Sequence, residues 1–315
     1  MSLQAVSPLA RRVFLANLVA QIGIVVTGGL VRLTDSGLGC DTWPQCNNTD
    51  WTPHEAVSHH AYIEFGNRML TYVVGAIAVA CVVFAYRQLP RRRDITTLAW
   101  VQIGTVAGQA GLGGITVLTD LHPMAVASHL LLSMLLIGSA VMLYERAGEG
   151  DAPARLLVRP EIRWFGYGTV ALAGALIVVG TLVTGTGPHA GDLKAKRFDL
   201  DIDQIAWLHA DLAFLLLGAA IALALALRVT DAPLAAQHRV WWLLGVLVPQ
   251  GLLGYVQYFN GLPEWMVLVH MWGATLTVVT ATRVLFGLRV RADAATEAEE
   301  PRPAVEDREP VATRY

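Results

Sequence analysis

The chain has 315 residues, of which 54% are hydrophobic and only 15% charged, with a formal net charge of −2. So little charge at this length excludes an ordinary soluble domain and indicates an integral membrane protein. The near-neutral balance, without a basic patch, argues against nucleic acid as a partner.

Eight long apolar stretches run over residues 13–33, 62–86, 96–116, 124–144, 162–184, 205–227, 238–258 and 265–287. Each is long enough for a helix to cross about 30 Å of hydrocarbon with some tilt. The runs are continuous rather than alternating, which favours helices over a β-barrel. The expected fold class is an all-α polytopic membrane protein with eight transmembrane helices.

The first stretch follows Arg11 and Arg12 and lacks a small-residue cleavage pattern, so it reads as a retained helix rather than a signal peptide. It closes in TGGLVRLTDSGLG at 27–39, and the fifth stretch closes similarly in GTLVTGTGPHAG at 180–191. Neither string follows a strand or opens a βαβ unit, so neither is a phosphate loop. The next connection holds Cys40 and Cys46 in GLGCDTWPQC. On an oxidising side of the membrane a Cys40–Cys46 disulfide would close a short loop; two free thiols in a Trp/Pro-rich turn are the alternative. The apolar neighbours Leu38, Trp43 and Trp51 suggest a cap lying on the bundle. Cys81, inside the second stretch, reads as a small buried apolar residue.

In the second stretch His60, Glu64 and Asn67 fall at i, i+4 and i+7, one stripe of an α-helix. A carboxylate in the membrane must be paired, protonated or used. Glu64 can form an i, i+4 ion pair with Arg68, or serve chemistry, with Arg68 free to meet a cofactor carboxylate. The third stretch contains GQAGLGG at 108–114 and the seventh GLLG at 251–254, both read as close helix contacts through small residues.

The even stretches carry the remaining signal: His129 in the fourth, His209 in the sixth and His270 in the eighth. His209 and His270 are 61 residues apart, and Asn67 and His129 are 62 apart, so the halves match at offsets of 142 and 141. This is the mark of a duplicated four-helix unit. Two histidines at equal height on facing helices can hold one iron from opposite sides. In the front half Asn67 stands where the back half has His209, which leaves His129 alone, or with another group such as His60. His54, His59, His122 and His189 lie in outer connections and are weaker candidates.

Arg87, Arg91 to Arg93, Arg146, Arg155, Arg159, Arg163, Arg228, Arg239, Arg289 and Arg291 join Arg11 and Arg12 in one set of connections. The opposite set is poor in basic residues, Arg32, Lys194, Lys196 and Arg197 excepted. The positive-inside rule then puts both termini in the cytoplasm of a cell with this protein in its plasma membrane. The tail from residue 292 to 315, rich in Ala, Glu, Pro and Arg, reads as disordered.

The strings TGGLVRLTDSGLGCDTWPQC, IEFGNR, the HPMAVASH segment ending in His129, GTGPHAG, WLHADLAF and VLVHMWGA, in this order over residues 10–290, resemble the haem A synthase family. The resemblance implies two pseudo-symmetric four-helix bundles, residues 10–146 with a substrate-haem site and residues 160–290 with a haem b site. It implies haem b on His209 and His270, substrate haem O on His129, an essential carboxylate at Glu64, and the outer cysteine pair at Cys40 and Cys46. It further implies oxidation of the C8 methyl of haem O, which carries a hydroxyfarnesyl tail, to a formyl group through hydroxylation and loss of water. Implied partners are a haem O synthase, terminal oxidase assembly factors and an unidentified electron acceptor or donor. The family pattern Glu-x-x-His-Arg reads Glu-Phe-Gly-Asn-Arg here, with Asn67 in place of the histidine. Two other functions suit the bare pattern: a membrane cytochrome b that only moves electrons, and a non-catalytic haem carrier or assembly factor. Glu64 separates them, since a wire or carrier has less need of a membrane carboxylate.

Overall fold

A computed structural model describes residues 6–48, 50–53 and 59–292. Eight helices cross the molecule: α1 Pro8–Leu33, α2 His59–Tyr86, α3 Arg93–Leu118, α4 Pro123–Ala147, α5 Pro160–Thr186, α6 Ile202–Val229, α7 Leu234–Phe259 and α8 Glu264–Gly287. At 24 to 28 residues, they are about 36–42 Å long, enough to pass the hydrocarbon layer and reach both interfaces. All eight are long and apolar enough to span a membrane. Large apolar side chains such as Leu135, Leu252 and Trp242 point outward, as a lipid-facing surface requires.

The helices extend beyond the apolar stretches because their ends carry start signals. The Ser7 hydroxyl accepts the Ala10 N–H, and Pro8, Pro123 and Pro160 occupy first-turn positions that need no amide donor. Asp201 caps α6 by accepting the Asp203 and Gln204 N–H groups. Arg11 and Arg12 therefore belong to α1 rather than to a preceding loop.

Two roughly symmetric helix groups result. In the front group α1 packs on α2 and α4, while α3 packs on α2 and α4; in the back group α5 to α8 repeat that ring. The groups meet where α4 lies on α8, flanked by α1 on α8 and α5 on α4. Exchanging the halves exchanges those two flanking contacts and returns α4 on α8 to itself, the signature of an internal twofold relation.

Both ends of this joint are fastened by polar contacts. At the basic end, buried Glu145 of α4 accepts from Arg239 of α7 and Arg283 of α8, each at 2.7 Å. Arg146 bonds to Asp94 and Glu149, and Arg289 reaches Glu149 at 3.4 Å. Two short strands, β1 Arg155–Leu156 and β2 Arg289–Val290, pair antiparallel beside them. At the opposite end Arg32 donates to the Thr184 carbonyl at 2.8 Å and the His189 carbonyl at 2.6 Å. The Gly37 N–H donates to the Gly191 carbonyl at 2.8 Å, and a Cβ on Gly37 would lie 2.8 Å from Leu121. Gly191 itself has φ +95, where a side chain is strained. Thus Arg32, an exception to the charge pattern, is a tie between the halves.

The glycine strings lie in the most closely packed helix pairs, α3 on α4 and α7 on α8. In GQAGLGG, Gly111 has nothing within 4 Å, Gly108 faces Leu132 and Gly113 faces the His129 ring, both on α4, and Gly114 faces Trp43. In GLLG, Gly251 is open and Gly254 faces His270. Gly113 and Gly254 thus bring neighbouring helices together and, in the same place, make room for a histidine ring. His54 and residues 293–315, nearly all of the tail, lie outside the described residues.

Candidate functional site

His209 and His270, from α6 and α8, bring their rings to a centroid separation of 6.3 Å with planes at 66°. Two imidazoles on opposite sides of one metal, each at ~2 Å, place their centroids ~6 Å apart. The Nδ1 atoms of both rings are buried and have no geometrically sound partner among the described residues, although the Leu176 carbonyl lies beside His209. Each ring rests in a glycine cleft: a Cβ on Gly180 would come within 3.1 Å of His209 Cε1, and one on Gly254 within 3.6 Å of His270 Cε1. Gln250 Nε2 donates to the His270 carbonyl at 2.9 Å and fixes that turn of α8. Among the described residues no three His, Cys, Asp or Glu side chains converge as a metal site. A metal held by this pair must bring the rest of its coordination with it, as a porphyrin iron does.

The front half repeats the frame. Gln109, Gly113 and His129 stand 141 residues before Gln250, Gly254 and His270, while Gly28 and Asn67 precede Gly180 and His209 by 152 and 142. Gln109 Nε2 donates to the His129 carbonyl at 3.1 Å, a Cβ on Gly113 would be 3.5 Å from His129 Cε1, and His129 Nδ1 is again buried without a partner among the described residues. Asn67 replaces the second ring. Its Oδ1 accepts from Thr27 Oγ1 at 2.7 Å, and its Nδ2 lies 3.8 Å from the place a Gly28 Cβ would take.

Asn67, His129, Glu64 and Arg68 all line one cavity of about 360 Å³, walled mostly by apolar groups from α1 to α4, with Trp43 and Pro44 of the cysteine loop, Thr184 of α5 and Met271 of α8 also on its lining. His60 is not on that lining; it shares a 2.9 Å hydrogen bond with Ser36 and stacks near His59. His122 caps α4, and His189 Nε2 meets the Leu262 carbonyl at 2.8 Å, so both serve loop ends.

The Glu64–Arg68 ion pair exists, at 2.5 Å, and it does more than neutralise charge. The second oxygen of Glu64 accepts the Cys40 N–H at 2.6 Å. Arg68 also donates to the Thr42 carbonyl at 2.9 Å and the Gln45 carbonyl at 3.0 Å. The pair therefore binds the cysteine loop to α2. Cys40 and Cys46 form a disulfide, both sulfurs are buried, and Cys81 is a buried free thiol. A Cβ on Gly39 would clash with the His60 backbone at 2.5 Å, and one on Gly114 with Trp43 at 2.7 Å. The loop thus closes on the bundle through Trp43, whereas Trp51 is 63% exposed and does not share in the cap.

Sequence reading missed Arg32, Thr27, Gln21 and Gln109, all of which line the cavity or hold a residue that does. For Gln109 a signal was present, its offset of 141 from Gln250. Arg32 and Thr27 have no counterpart to betray them.

A profile of the family described as COX15-CtaA, cytochrome oxidase assembly protein, matches residues 11–282. Among curated proteins, the heme A synthase of Symbiobacterium thermophilum is 31% identical over 156 residues, 48% of either chain. The heme A synthase of Lysinibacillus sphaericus is 28% identical over 176 residues, 54% of this chain and 56% of that one. In both cases the chain spans only about half the length of the relative it matches. The heme A synthase of Geobacillus thermodenitrificans is 23% identical over 295 residues, covering 89% of this chain and 92% of the relative.

Proposed function

The chain belongs to the COX15-CtaA family of cytochrome oxidase assembly proteins, and we propose that it is a haem A synthase, oxidising the C8 methyl of haem O to a formyl group for terminal oxidases. The observation that carries the reading is the duplicated frame with unequal contents: two facing histidines behind, and in front a cavity holding His129, Asn67 and Glu64. A fixed cofactor suits the first arrangement, and a replaceable substrate with a carboxylate nearby suits the second.

In the back half His209 and His270 would hold haem b, with the clefts at Gly180 and Gly254 admitting their rings close to the helices. When bound, that haem supplies one-electron redox chemistry between the substrate site and an external donor or acceptor. In the front half His129 binds the iron of haem O, and the Gln109 contact orients its turn of helix. Arg68 and Arg32 place positive charge on the cavity lining, where a porphyrin's carboxylates need it. Glu64 takes a proton released as the methyl is oxidised, its charge meanwhile stabilised by Arg68 and the Cys40 N–H. Trp43 and Pro44 add apolar surface to the cavity lining beside Glu64 and Arg68. The protein sits in the plasma membrane with its termini and basic end cytoplasmic, so the disulfide loop faces the oxidising side.

The test is to give purified protein haem O with a reductant in air and separate the extracted pigments chromatographically. A new formyl porphyrin is expected. Haem O recovered unchanged from protein that retains haem b would support instead an electron wire or carrier.

A further inference from the structure

The two halves offer different partners to the histidine on the fourth helix of each repeat. In the back half His270 faces the ring of His209, which rests against Gly180, and Val179 precedes that glycine. In the front half the matching places hold Asn67, Gly28 and Thr27. Histidine beside valine is replaced by asparagine beside threonine, and the two polar side chains meet: Thr27 Oγ1 lies 2.7 Å from Asn67 Oδ1. The Ile24 carbonyl is farther from that hydroxyl, at 3.2 Å, so its one proton goes to the amide.

That contact limits what Asn67 can offer an iron held by His129. Of the two amide ends only the oxygen has lone pairs for a metal, since the nitrogen carries two N–H donors, and that oxygen is turned to Thr27 on α1. The nitrogen end is the reverse case. Nδ2 has no hydrogen-bond partner among the described residues, yet it is not among the atoms sealed in protein. It stands 3.8 Å from the place of a Gly28 Cβ, and Gly28 and Asn67 line the same cavity as His129. Other lining groups leave the second axial position free as well. Glu64 is bonded through one oxygen to Arg68 and through the other to the Cys40 N–H. The Met271 sulfur packs at the joint, 3.3 Å from the place of a Gly29 Cβ, while Met69 and Tyr72 are 39% and 72% exposed. A haem on His129 alone keeps one face open to a ligand from outside.

We propose that the front half holds a small-ligand site across the cavity from His129, where the Asn67 amide, fixed by Thr27, donates from Nδ2 to an exogenous ligand of the substrate iron. The ligand class is a molecule or anion of two or three atoms with one lone pair for the iron and another for the amide, the class to which dioxygen belongs. Asn67 makes no bond to iron and keeps its protons. This rests on the reading of the cavity as a haem O site and deepens it: Asn67 binds the ligand, and Thr27 is a positioning residue.

The experiment loads purified full-length protein with haem O and titrates azide on the ferric form and carbon monoxide on the ferrous form, read by absorbance. A haem b closed on both faces by His209 and His270 takes neither, so the signal belongs to the front half. Wild type should bind both. Asn67→Leu, close in size but without the N–H, should weaken azide by roughly tenfold or more, the loss of one hydrogen bond to a charged acceptor. Carbon monoxide, a weak acceptor, should stay within about threefold, with its C–O stretch moved to higher frequency. Thr27→Val should lose about threefold in azide affinity, and Thr27→Ser, which keeps the hydroxyl, should match wild type. Ferric wild type that is low-spin beforehand and binds no azide would overturn the proposal, because a protein group then fills the position. Unchanged azide affinity in Asn67→Leu would overturn it too. If Asn67→Leu loses haem b and with it the fold, the two Thr27 variants decide, equal affinities overturning the proposal. Wild type that keeps haem b but takes up no haem O removes the underlying reading, and this inference with it. Azide bound as expected by protein that forms no formyl porphyrin upholds the site and removes only the synthase reading.

Discussion

Glu64 and Arg68 share a 2.5 Å ion pair one helical turn apart, and both partners also hold the cysteine loop, Glu64 through the Cys40 N–H and Arg68 through the Thr42 and Gln45 carbonyls. One carboxylate thus has two duties to separate, fastening a loop and handling protons. Glu64→Gln keeps an acceptor for Cys40 but removes the charge. It should retain haem b and bind haem O while losing at least ~100-fold in product formation, within the usual range for a general acid or base. Arg68→Gln, which also breaks the pair, should weaken the loop, seen as faster Cys40–Cys46 reduction, yet lose less activity. Equal losses in the two variants would reduce Glu64 to a loop anchor.

For the back half, His209→Ala and His270→Ala should each abolish or strongly alter the low-spin haem b absorbance. Gly180→Val offers a finer test. Its added side chain would enter space where a Cβ already stands 3.1 Å from His209 Cε1, so haem content should fall although both histidines remain. Unchanged spectra and haem stoichiometry in both alanine variants would remove this pair as ligands.

Asn67 occupies the place of His209 in the repeated frame and lines the cavity, whereas His60 is engaged with Ser36 away from it. Asn67→His should therefore convert the bound haem O spectrum from one axial histidine to two, with a shift toward low spin. An unchanged spectrum would mean that another group already fills the second position.

Topology is testable without haem. A reporter fused after residue 291 should behave as cytoplasmic and one inserted near Asn48 as extracytoplasmic, as the distribution of arginines implies. The reverse pattern would put the disulfide loop in the reducing compartment and overturn the orientation of the whole scheme.

The eight helices and their pairing into two groups were legible because continuous apolar runs and a repeat of matched polar positions are one-dimensional signals. His209, His270 and His129 stood out for the same reason. Trp43 fitting against Gly114, Arg32 reaching Thr184 and His189, and Glu145 joined to Arg239 and Arg283 were not legible. Each depends on where a loop or a neighbouring half comes to rest, and nothing periodic marks it. The β1–β2 pair is two residues long on each side, with partners such as Arg155 and Val290 far apart in sequence. The glycine strings marked the close pairs α3 with α4 and α7 with α8, but not that Gly113 and Gly254 face histidine rings there.

The most direct measurement of the central claim is the isotope content of pigment recovered after supplying haem O deuterated at the C8 methyl. Conversion to a formyl group must remove two of the three methyl deuteriums and add one oxygen, so wild-type protein should yield a porphyrin that retains a single deuterium there and carries that mass change. Pigment that keeps all three deuteriums, from protein with haem b in place and haem O bound, would contradict the account.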